Sequence, residues 1–405
     1  MRPTDIPARL LALIVLVLTL AAPAARADDL CWQGLGRSRI ATSGAGQTES
    51  ILVGPPAEQA AARAAVTDAG GVILREAARP ALGLVSIVAA FPGTAGYERA
   101  LARLARTAPG TGMSANWTYS HAQQMAGMPA PRAAAGPPRL FAAELIGEAA
   151  PGACRLAAPV RIGMIDGPVN TAHPALRGAR VQHVPLTGRA AVPGADHGTA
   201  VAVLLVGEDR TGALAGFARG AELIAVSVFT VEGSLVETTV ERIVAALDLL
   251  VNRQARLVNL SFSGPRSAAL GVALTAAARR GVVLVGATGN DGLPQVAYPA
   301  EAPEVIAVTA VDSARRRYRL ANTGGPVEIA APGVDVYVAL AEGGGYGSGT
   351  SFATPIVAAL ATREIARGRG QTEAIRAQLR AQAQALGGGG RSADYGWGRA
   401  QAGGC

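Results

Sequence analysis

The stretch Val160-Arg161-Ile162-Gly163-Met164-Ile165-Asp166-Gly167-Pro168 begins a series of short apolar segments that decides the fold. Segments with apolar residues at helical spacing lie between them. Near-continuous apolar strands separated by helices indicate a mainly parallel sheet covered on both faces, and function gathers beyond the carboxyl ends of such strands. The later strands are predicted over 223–229, 257–261, 282–287 and 305–310, with helices over 236–252 and 268–280.

The N-terminal part of the chain has a pattern of its own. Its strands and Ala-rich helices follow the order β-α-β-β-α-β, which predicts a small α+β unit of the split-βαβ type within residues 28–124. A Pro/Ala/Gly-rich linker over 125–139 is exposed, extended and open to proteolysis. The main domain is predicted over 140–405. The strands of the first unit are predicted at 51–53, 71–74, 84–89 and 114–119, and its helices at 57–68 and 97–106.

Residues 1–27 have the three parts of a secretory signal peptide. Arg2 and Arg9 are the positive region, residues 10–22 the apolar core, and Ala25-Arg26-Ala27 the small-x-small cleavage site. The apolar core is shorter than the roughly 20 residues that span a bilayer. We therefore expect an exported protein, periplasmic or extracellular, with no membrane span in its mature chain.

The composition excludes several mechanisms. All 37 basic residues of the 405 are arginine, and the absence of lysine rules out a Walker-type phosphate loop, a pyridoxal Schiff base and a Ser-Lys dyad. The net charge of +8 is spread along the chain, and with only 4% aromatic residues it does not predict nucleic-acid binding. Cys31, Cys154 and Cys405 have no metal-ligand spacing. If the N-terminal third is removed, Cys154 and Cys405 form an even pair, and we expect a disulfide between them.

Three polar junctions carry candidate chemistry. Gly347-Ser348-Gly349-Thr350-Ser351 is a glycine-rich turn that leads into an Ala/Val/Leu-rich helix, so Ser351 is equally compatible with a nucleophile or a helix cap. His197 opens a second small-residue helix, and Asp166 ends the first strand. Of the other histidines, His121 precedes the linker and is expected to leave with the N-terminal unit. His173 precedes a proline at a turn, and His183 lies in a short strand over 181–184.

At one edge of a parallel sheet these groups can converge. A carboxylate orients an imidazole, the imidazole takes the proton of a serine, and the serine attacks a carbonyl. Asn290, in the glycine-flanked loop Gly289-Asn290-Asp291-Gly292, offers a side-chain amide for the developing oxyanion, although asparagine is also a common turn former.

The sequence resembles the subtilisin-type (subtilase) serine proteases. The resemblance covers about residues 140–402, and the matching residues occur in the chain order Asp, His, Ser that this family has. It rests on the following motifs: Ile165-Asp166-Gly167, His197-Gly198-Thr199-Ala200-Val201-Ala202, Asn259-Leu260-Ser261-Phe262-Ser263-Gly264-Pro265, Ala287-Thr288-Gly289-Asn290-Asp291-Gly292, Ala331-Pro332-Gly333-Val334, Gly349-Thr350-Ser351-Phe352-Ala353-Thr354-Pro355 and Tyr395-Gly396-Trp397-Gly398.

The resemblance implies a subtilisin-like three-layer α/β fold and a role for each matched residue. Asp166 is the orienting carboxylate, His197 the general base and acid, Ser351 the nucleophile and Asn290 the oxyanion donor. The N-terminal unit resembles the pro-segment that assists folding and blocks the cleft. We therefore expect an endopeptidase whose partners are protein or peptide substrates and its own pro-segment, acting as a monomer without a cofactor or an assigned metal. The implied substrate-binding residues are Ser261, Phe262, Ser263, Gly264, Ala287, Thr288 and Gly289.

Two positions depart from the family pattern. Asp166-Gly167-Pro168 replaces the commoner Asp-Thr/Ser-Gly, and Ser263 stands where many members have glycine, which affects how closely a substrate backbone approaches. A catalytically silent binding protein on the same fold is the alternative from another class. An esterase is a second alternative, although no G-x-S-x-G elbow surrounds Ser351.

Overall fold

A computed structural model describes residues 38–121, 132–133, 139–150, 152–209 and 211–403. The predicted signal peptide, most of the linker, Cys31 and Cys405 lie outside these residues. Among the described helices, none combines the length and the apolar character that a bilayer span requires.

The N-terminal unit is a four-stranded antiparallel sheet with two helices packed on it. Its sheet order is β2-β3-β1-β4, and the β-α-β-β-α-β order is the one predicted. Alternate sheet residues and one face of each helix form a small separate core around Leu52, Ile87 and Leu104. The elements of the first 133 residues are β1 (Glu49–Gly54), α1 (Gln59–Asp68), β2 (Val72–Arg79), β3 (Leu84–Ala90), α2 (Thr94–Thr107), β4 (Gly112–Ala115), β5 (Thr118–His121) and β6 (Arg132–Ala133).

The remainder of the chain forms a three-layer α/β domain. Its elements are α3 (Phe141–Leu145), β7 (Arg161–Asp166), β8 (Arg180–Pro185), α4 (Asp196–Val206), β9 (Glu222–Ser227), β10 (Thr230–Glu232), β11 (Leu235–Thr239), α5 (Val240–Asn252), β12 (Leu257–Leu260), β13 (Phe262–Ser263), α6 (Ala268–Arg279), β14 (Val283–Ala287), β15 (Val305–Val311), β16 (Val327–Pro332), β17 (Val336–Ala339), β18 (Gly344–Gly347), α7 (Thr350–Ala366) and α8 (Thr372–Gln382).

A seven-stranded parallel sheet is the centre of this domain, in the order β16-β15-β14-β12-β7-β9-β8. Helices α4 and α7 pack on one face and contribute to one core cluster. Helices α5 and α6 pack on the other face with a second cluster. Strands buried on both faces explain the continuous apolar runs in the sequence, and the predicted three-layer α/β fold is confirmed.

The boundaries of two predicted elements are wrong. The helix predicted over 236–252 begins only at Val240, because the residues before it form β11. Thr239 ends that strand and caps the helix, its Oγ1 accepting a hydrogen bond from Arg242 N at 3.4 Å. The strand predicted over 114–119 is two strands, β4 and β5. Strand β5 leaves the N-terminal sheet and enters a second sheet of order β10-β11-β5-β13, with antiparallel pairing throughout.

Cys154 is buried and disulfide-bonded, and its partner lies outside the described residues. The pairing of Cys154 with Cys405 therefore stays a prediction.

A buried ion pair joins Glu148, in the segment after α3, to Arg363 of α7. Arg363 Nε also donates to the carbonyl of Phe217 at 2.7 Å. Both charged side chains are almost fully buried, so each depends on the other for compensation.

We predict that Glu148→Ala lowers the free energy of unfolding by about 3 kcal/mol, because it leaves the Arg363 guanidinium buried without its carboxylate. Urea unfolding of the purified protein measures the loss. Arg316→Ala is the matched control, since that arginine pairs with Asp312 while 79% exposed, and its cost should be below about 1 kcal/mol. Equal losses in the two variants would contradict the assigned importance of the buried pair.

Candidate active site

The three polar junctions predicted from sequence meet at the carboxyl edge of the central sheet. Asp166 is the last residue of β7. His197 is the second residue of α4, and Ser351 is the second residue of α7. All three side chains are buried, with His197 the most accessible at 7% exposed. His197 bonds to Asp166 at the end of β7, and Thr350 N donates to Asn290 beyond the end of β14, so both helices begin at this edge.

Asp166 fixes the orientation of His197. Its Oδ1 accepts hydrogen bonds from His197 Nδ1 at 2.7 Å and from the backbone N–H of Gly167 at 2.7 Å. Burial by itself raises the pKa of Asp166, but the imidazolium charges of His197 and His121 and their hydrogen bonds hold that pKa well below its usual range. The carboxylate therefore stays ionised, holds the Nδ1–H tautomer of His197 and stabilises the charged imidazole.

The turn before α7 exposes the start of that helix. Gly349 precedes the helix at a φ of 154°, a conformation that favours glycine. At Gly347 a Cβ would lie 2.5 Å from Cε2 of Phe352, so only glycine allows that ring to pack against the turn. The N–H groups of the first helical turn, including that of Ser351, have no partner within the helix. An anion beside Ser351 therefore meets a backbone donor and the positive end of the helix dipole.

Pro355 lies inside α7. It is the sixth helical residue, and its missing N–H leaves the carbonyl of Ser351 without its usual partner four residues on. That carbonyl instead accepts a hydrogen bond from Ser261 Oγ at 3.0 Å. Asn259 Nδ2 in turn donates to Ser261 Oγ at 2.9 Å. The proline thus makes room for a buried link between the start of α7 and the segment after β12.

The amide of Asn290 is oriented by Thr350. Asn290 Oδ1 accepts hydrogen bonds from Thr350 N at 3.0 Å and from Thr350 Oγ1 at 3.1 Å, which leaves Nδ2 as a donor for another group. Asn322 holds the loop itself, because its Oδ1 accepts from the N–H groups of Asp291 at 2.8 Å and Leu293 at 3.1 Å. The sequence prediction identified Asn290 but neither of the two residues that orient it.

Several buried polar atoms of the site have no hydrogen-bond partner among the residues that the structure describes. They include Ser351 Oγ, His197 Nε2 and Asn290 Nδ2, together with Asp166 Oδ2 and His121 Nδ1. Since buried polar atoms are normally paired, a cluster of unpaired ones in one site needs an explanation. A nucleophile, a base and an oxyanion donor would each be left available for a substrate, and this set contains one atom of each kind.

The predicted substrate-binding residues fall on two sides of the site. Of residues 261–264, Phe262 and Ser263 form β13, which pairs with β5 in the register Phe262↔His121 and Ser263↔Ser120. On the other side Ala287 ends β14, and Gly289 follows at a φ of +98°. Thr288, between them, is held by its N–H donating to Val308 O at 3.1 Å and its carbonyl accepting from Ala297 N at 2.9 Å.

His121, for which no role was predicted, lies in this site. Its ring stacks on His197 with centroids 4.0 Å apart and packs on Phe229 at 3.9 Å. His121 Nε2 lies 3.2 Å from Asp166 Oδ1. His121 lies beyond the strand predicted over 114–119, and only the pairing of β5 with β11 and β13 reveals its position. The other two histidines are structural: His173 Nδ1 accepts from Ala175 N, and His183 Nε2 contacts Ser227 Oγ at 2.9 Å.

His121, Asp166 and His197 bring together ligand atoms that all lie within 4.8 Å of one another. Imidazole and carboxylate groups suit zinc, which needs ligand distances of about 2.0–2.2 Å. However, His197 Nδ1 and Asp166 Oδ1 are hydrogen-bonded at 2.7 Å, so an ion cannot lie between these two atoms. The contacts therefore fit a hydrogen-bonded carboxylate with two imidazoles better than a metal centre.

The fold and the site together define a class: three-layer α/β proteins in which Asp, His and Ser meet at the carboxyl edge of a parallel sheet. The family model described as "Subtilase family" matches residues 158–398. The chain belongs to the subtilase family.

Known relatives agree with this placement. Over 238 residues the chain is 33% identical to subtilisin E of Bacillus subtilis (strain 168), an alignment that covers 56% of this chain and 61% of that protein. It is also 33% identical to a subtilisin of Bacillus pumilus over 238 residues, which is 85% of that relative.

Two solved structures are similar as well. Fervidolysin from Fervidobacterium pennivorans has a TM-score of 0.68 at 20% identity, covering 89% of this chain and 61% of its own, and this likeness supports the fold. The prenylagaramide maturation protease PagA has a TM-score of 0.53 at 28% identity, covering 60% of this chain and 90% of its own.

We predict that His121 titrates far below an exposed histidine while β5 is docked. Burial and the neighbouring charge of His197 lower the pKa of His121 to about 4. The docked strand therefore binds fewer protons than the released strand, so docking is strongest above about pH 6.5 and weakens by about two orders of magnitude as the pH falls to about 4.

Histidine-selective NMR on the Ser351→Ala protein measures this pKa, with His121→Gln to assign the signal. A His121 midpoint near 6.5 in the intact protein would show that the ring is not buried in the site.

Proposed function

We propose that the protein is an exported serine endopeptidase that is made as a precursor with an inhibitory pro-segment. The observation that carries the proposal is the hydrogen bond from His197 Nδ1 to the buried Asp166 carboxylate, at the same sheet edge as an unpaired Ser351 hydroxyl. The proposal extends to a periplasmic or extracellular location and a monomeric mature enzyme.

The mechanism follows from the donors and acceptors of the site. His197 Nε2 takes the proton of Ser351 Oγ as that oxygen attacks the carbonyl carbon of the scissile peptide. Asn290 Nδ2 and the N–H of Ser351 donate to the oxyanion that forms. When the C–N bond breaks, His197 gives its proton to the leaving amine. Water then attacks the acyl-enzyme with His197 again as base, which releases the acid and restores the serine.

The hydrogen bond between His197 Nε2 and Ser351 Oγ is not formed while β5 occupies the cleft, since neither atom has a partner among the described residues. Such bonds commonly tighten only when a substrate is bound. We propose that a change in the rotamer of Ser351 forms this hydrogen bond when a substrate binds. Asp166, which makes its two hydrogen bonds already, does not need to move.

The N-terminal unit fits the role of a pro-segment because β5 lies in the cleft as a substrate would. Its described end is His121, which pairs with Phe262, and Ser261, the residue before Phe262, donates a hydrogen bond from Oγ to the carbonyl of Ser351 at 3.0 Å. In the sequence His121 is followed by Ala122 and Gln123. We therefore propose that self-processing cuts the bond between Ala122 and Gln123.

Ser351→Ala should abolish digestion of an unstructured protein such as casein without loss of fold, because it removes the attacking oxygen. Ser313→Ala, at an exposed turn remote from the site, is the matched control and should digest casein as the wild type does. Release of acid-soluble peptides measures the activity, and circular dichroism checks the fold. Undiminished digestion by the Ser351→Ala protein would refute Ser351 as the nucleophile, whereas no digestion by the processed wild-type protein would favour the catalytically silent binding protein.

Asn290→Ala should lower kcat by about 10²–10³ with a much smaller change in KM, because the lost donor acts on the oxyanion rather than on bound substrate. Steady-state hydrolysis of a peptide substrate separates the two constants. A loss confined to KM would instead assign Asn290 to ground-state binding.

The mature chain should begin at Gln123. Mass spectrometry of the purified enzyme and of its N-terminal peptide reads this position directly. The Ser351→Ala precursor should keep residues 28–122 attached when it is made alone, and addition of active wild-type enzyme in trace amount should convert it. Processing of the isolated Ser351→Ala protein at the same bond would show that another protease makes the cut.

A further inference from the structure

We propose that the cleft selects substrates by two residues before the scissile bond. Counted back from that bond, the second residue is histidine and the fourth is tyrosine. In this chain's own sequence these two residues are Tyr119 and His121 of β5, and the proposed cut follows the next residue, Ala122. The proposal rests on the proposed endopeptidase function and deepens it. It defines a substrate class of extended segments of the form Tyr-x-His-x.

The strand geometry allows only alternate side chains of β5 to be read. Successive side chains of a strand point to opposite faces. Tyr119 and His121 are each 1% exposed, whereas Ser120 between them is only partly buried. Ser120 lies opposite Ser263 in the ladder with β13 and opposite Glu237 in the ladder with β11. The backbone ladders thus supply binding that is independent of sequence, and the two buried rings supply selection.

The slot for the histidine is flat and closed by two rings. His121 lies between Phe229, tilted by 32°, and His197, stacked at 16°. The floor of the slot is Gly167, where a Cβ would lie 3.2 Å from His121 Cε1. This glycine is one of the two departures from the family pattern, and the space it leaves is filled by the imidazole. A planar side chain gains two stacking contacts there that an aliphatic one cannot make.

The slot for the tyrosine combines shape with one directed polar contact. The Tyr119 ring packs edge-on against Phe262 with centroids 6.0 Å apart. It lies directly on Gly264, where a Cβ would come within 2.5 Å of Tyr119 Cδ1. At the end of the slot Tyr119 Oη donates to the carbonyl of Pro265 at 2.6 Å, and the bond is buried. The hydroxyl therefore distinguishes tyrosine from phenylalanine.

Quenched fluorogenic peptides built on Tyr-Ser-His-Ala followed by Gln-Gln test the proposal with processed enzyme. Replacing the tyrosine by alanine should lower kcat/KM at least about tenfold, and replacing it by phenylalanine about threefold to tenfold, the worth of one net hydrogen bond. Replacing the histidine by alanine should lower kcat/KM about tenfold, whereas replacing the intervening serine by alanine should change it less than about twofold. Equal rates for all five peptides would overturn the proposal.

Two enzyme variants should lose one preference each. Gly264→Ala should lower the preference for tyrosine, measured as kcat/KM for the parent peptide divided by kcat/KM for its tyrosine-to-alanine replacement, at least about fivefold. The corresponding ratio for the histidine-to-alanine replacement should not change, because the added Cβ fills only the tyrosine slot. Gly167→Ala should do the reverse. Ratios within one variant cancel any general loss of activity. Gly325→Ala, whose added Cβ meets no atom within 4 Å, is the matched control and should preserve both ratios.

The outcomes separate this proposal from the proposed function. If casein and every peptide are left intact by the processed wild-type enzyme, the endopeptidase function itself fails. If casein is digested while the peptides show no preference, or if Gly264→Ala and Gly167→Ala change both ratios alike, the function stands and the two-slot selection fails.

Discussion

The structure of the site depends on one buried carboxylate. Asp166 ends the strand β7, and its Oδ1 holds both the N–H of Gly167 and His197 Nδ1 at 2.7 Å. The sheet and the two helices that pack on one of its faces provide what this arrangement needs: a dry strand end, a helix that presents an imidazole and a second helix that presents a hydroxyl. A carboxylate in such surroundings stays charged only because imidazole groups face it, so the Asp-His contact and the fold support each other.

The same edge also receives the N-terminal unit. That unit folds around its own small core, but its last strand, β5, belongs to the sheet that lines the cleft rather than to its own sheet. His121 at the end of β5 contacts the ring of His197 and lies 3.2 Å from Asp166 Oδ1. The strand that pairs with β11 and β13 therefore also contacts Asp166 and His197. Since the docked His121 disfavours a proton, we expect acidification to weaken the contact of β5 with these two residues.

Much of this could be read from the sequence, for identifiable reasons. The continuous apolar strands predict a parallel sheet, and the glycine-rich turn before Ser351 and the polar start of α4 mark the two helix N-termini at the candidate site.

What the sequence could not predict depends on contacts between distant segments. The helix predicted from residue 236 begins at Val240, because the preceding residues are drawn into a strand by pairing with β5. Nothing in the sequence around Pro355 shows that its missing N–H leaves the carbonyl of Ser351 for Ser261. His121 lacked any local signal, since its position is set by strand pairing. In the sequence Gly167 is only a departure from the family pattern. In the structure a Cβ at this position would lie 3.2 Å from His121 Cε1, so the glycine makes room for the imidazole.

The central claim is that Asp166 and His197 activate Ser351 as a nucleophile. Treatment of the processed enzyme with a serine-directed sulfonyl fluoride, followed by peptide mass spectrometry, tests it most directly. The account predicts one covalent adduct, on Ser351, and its loss in the His197→Ala protein processed in trans. An adduct on a different serine, or undiminished labelling of Ser351 without His197, would contradict it.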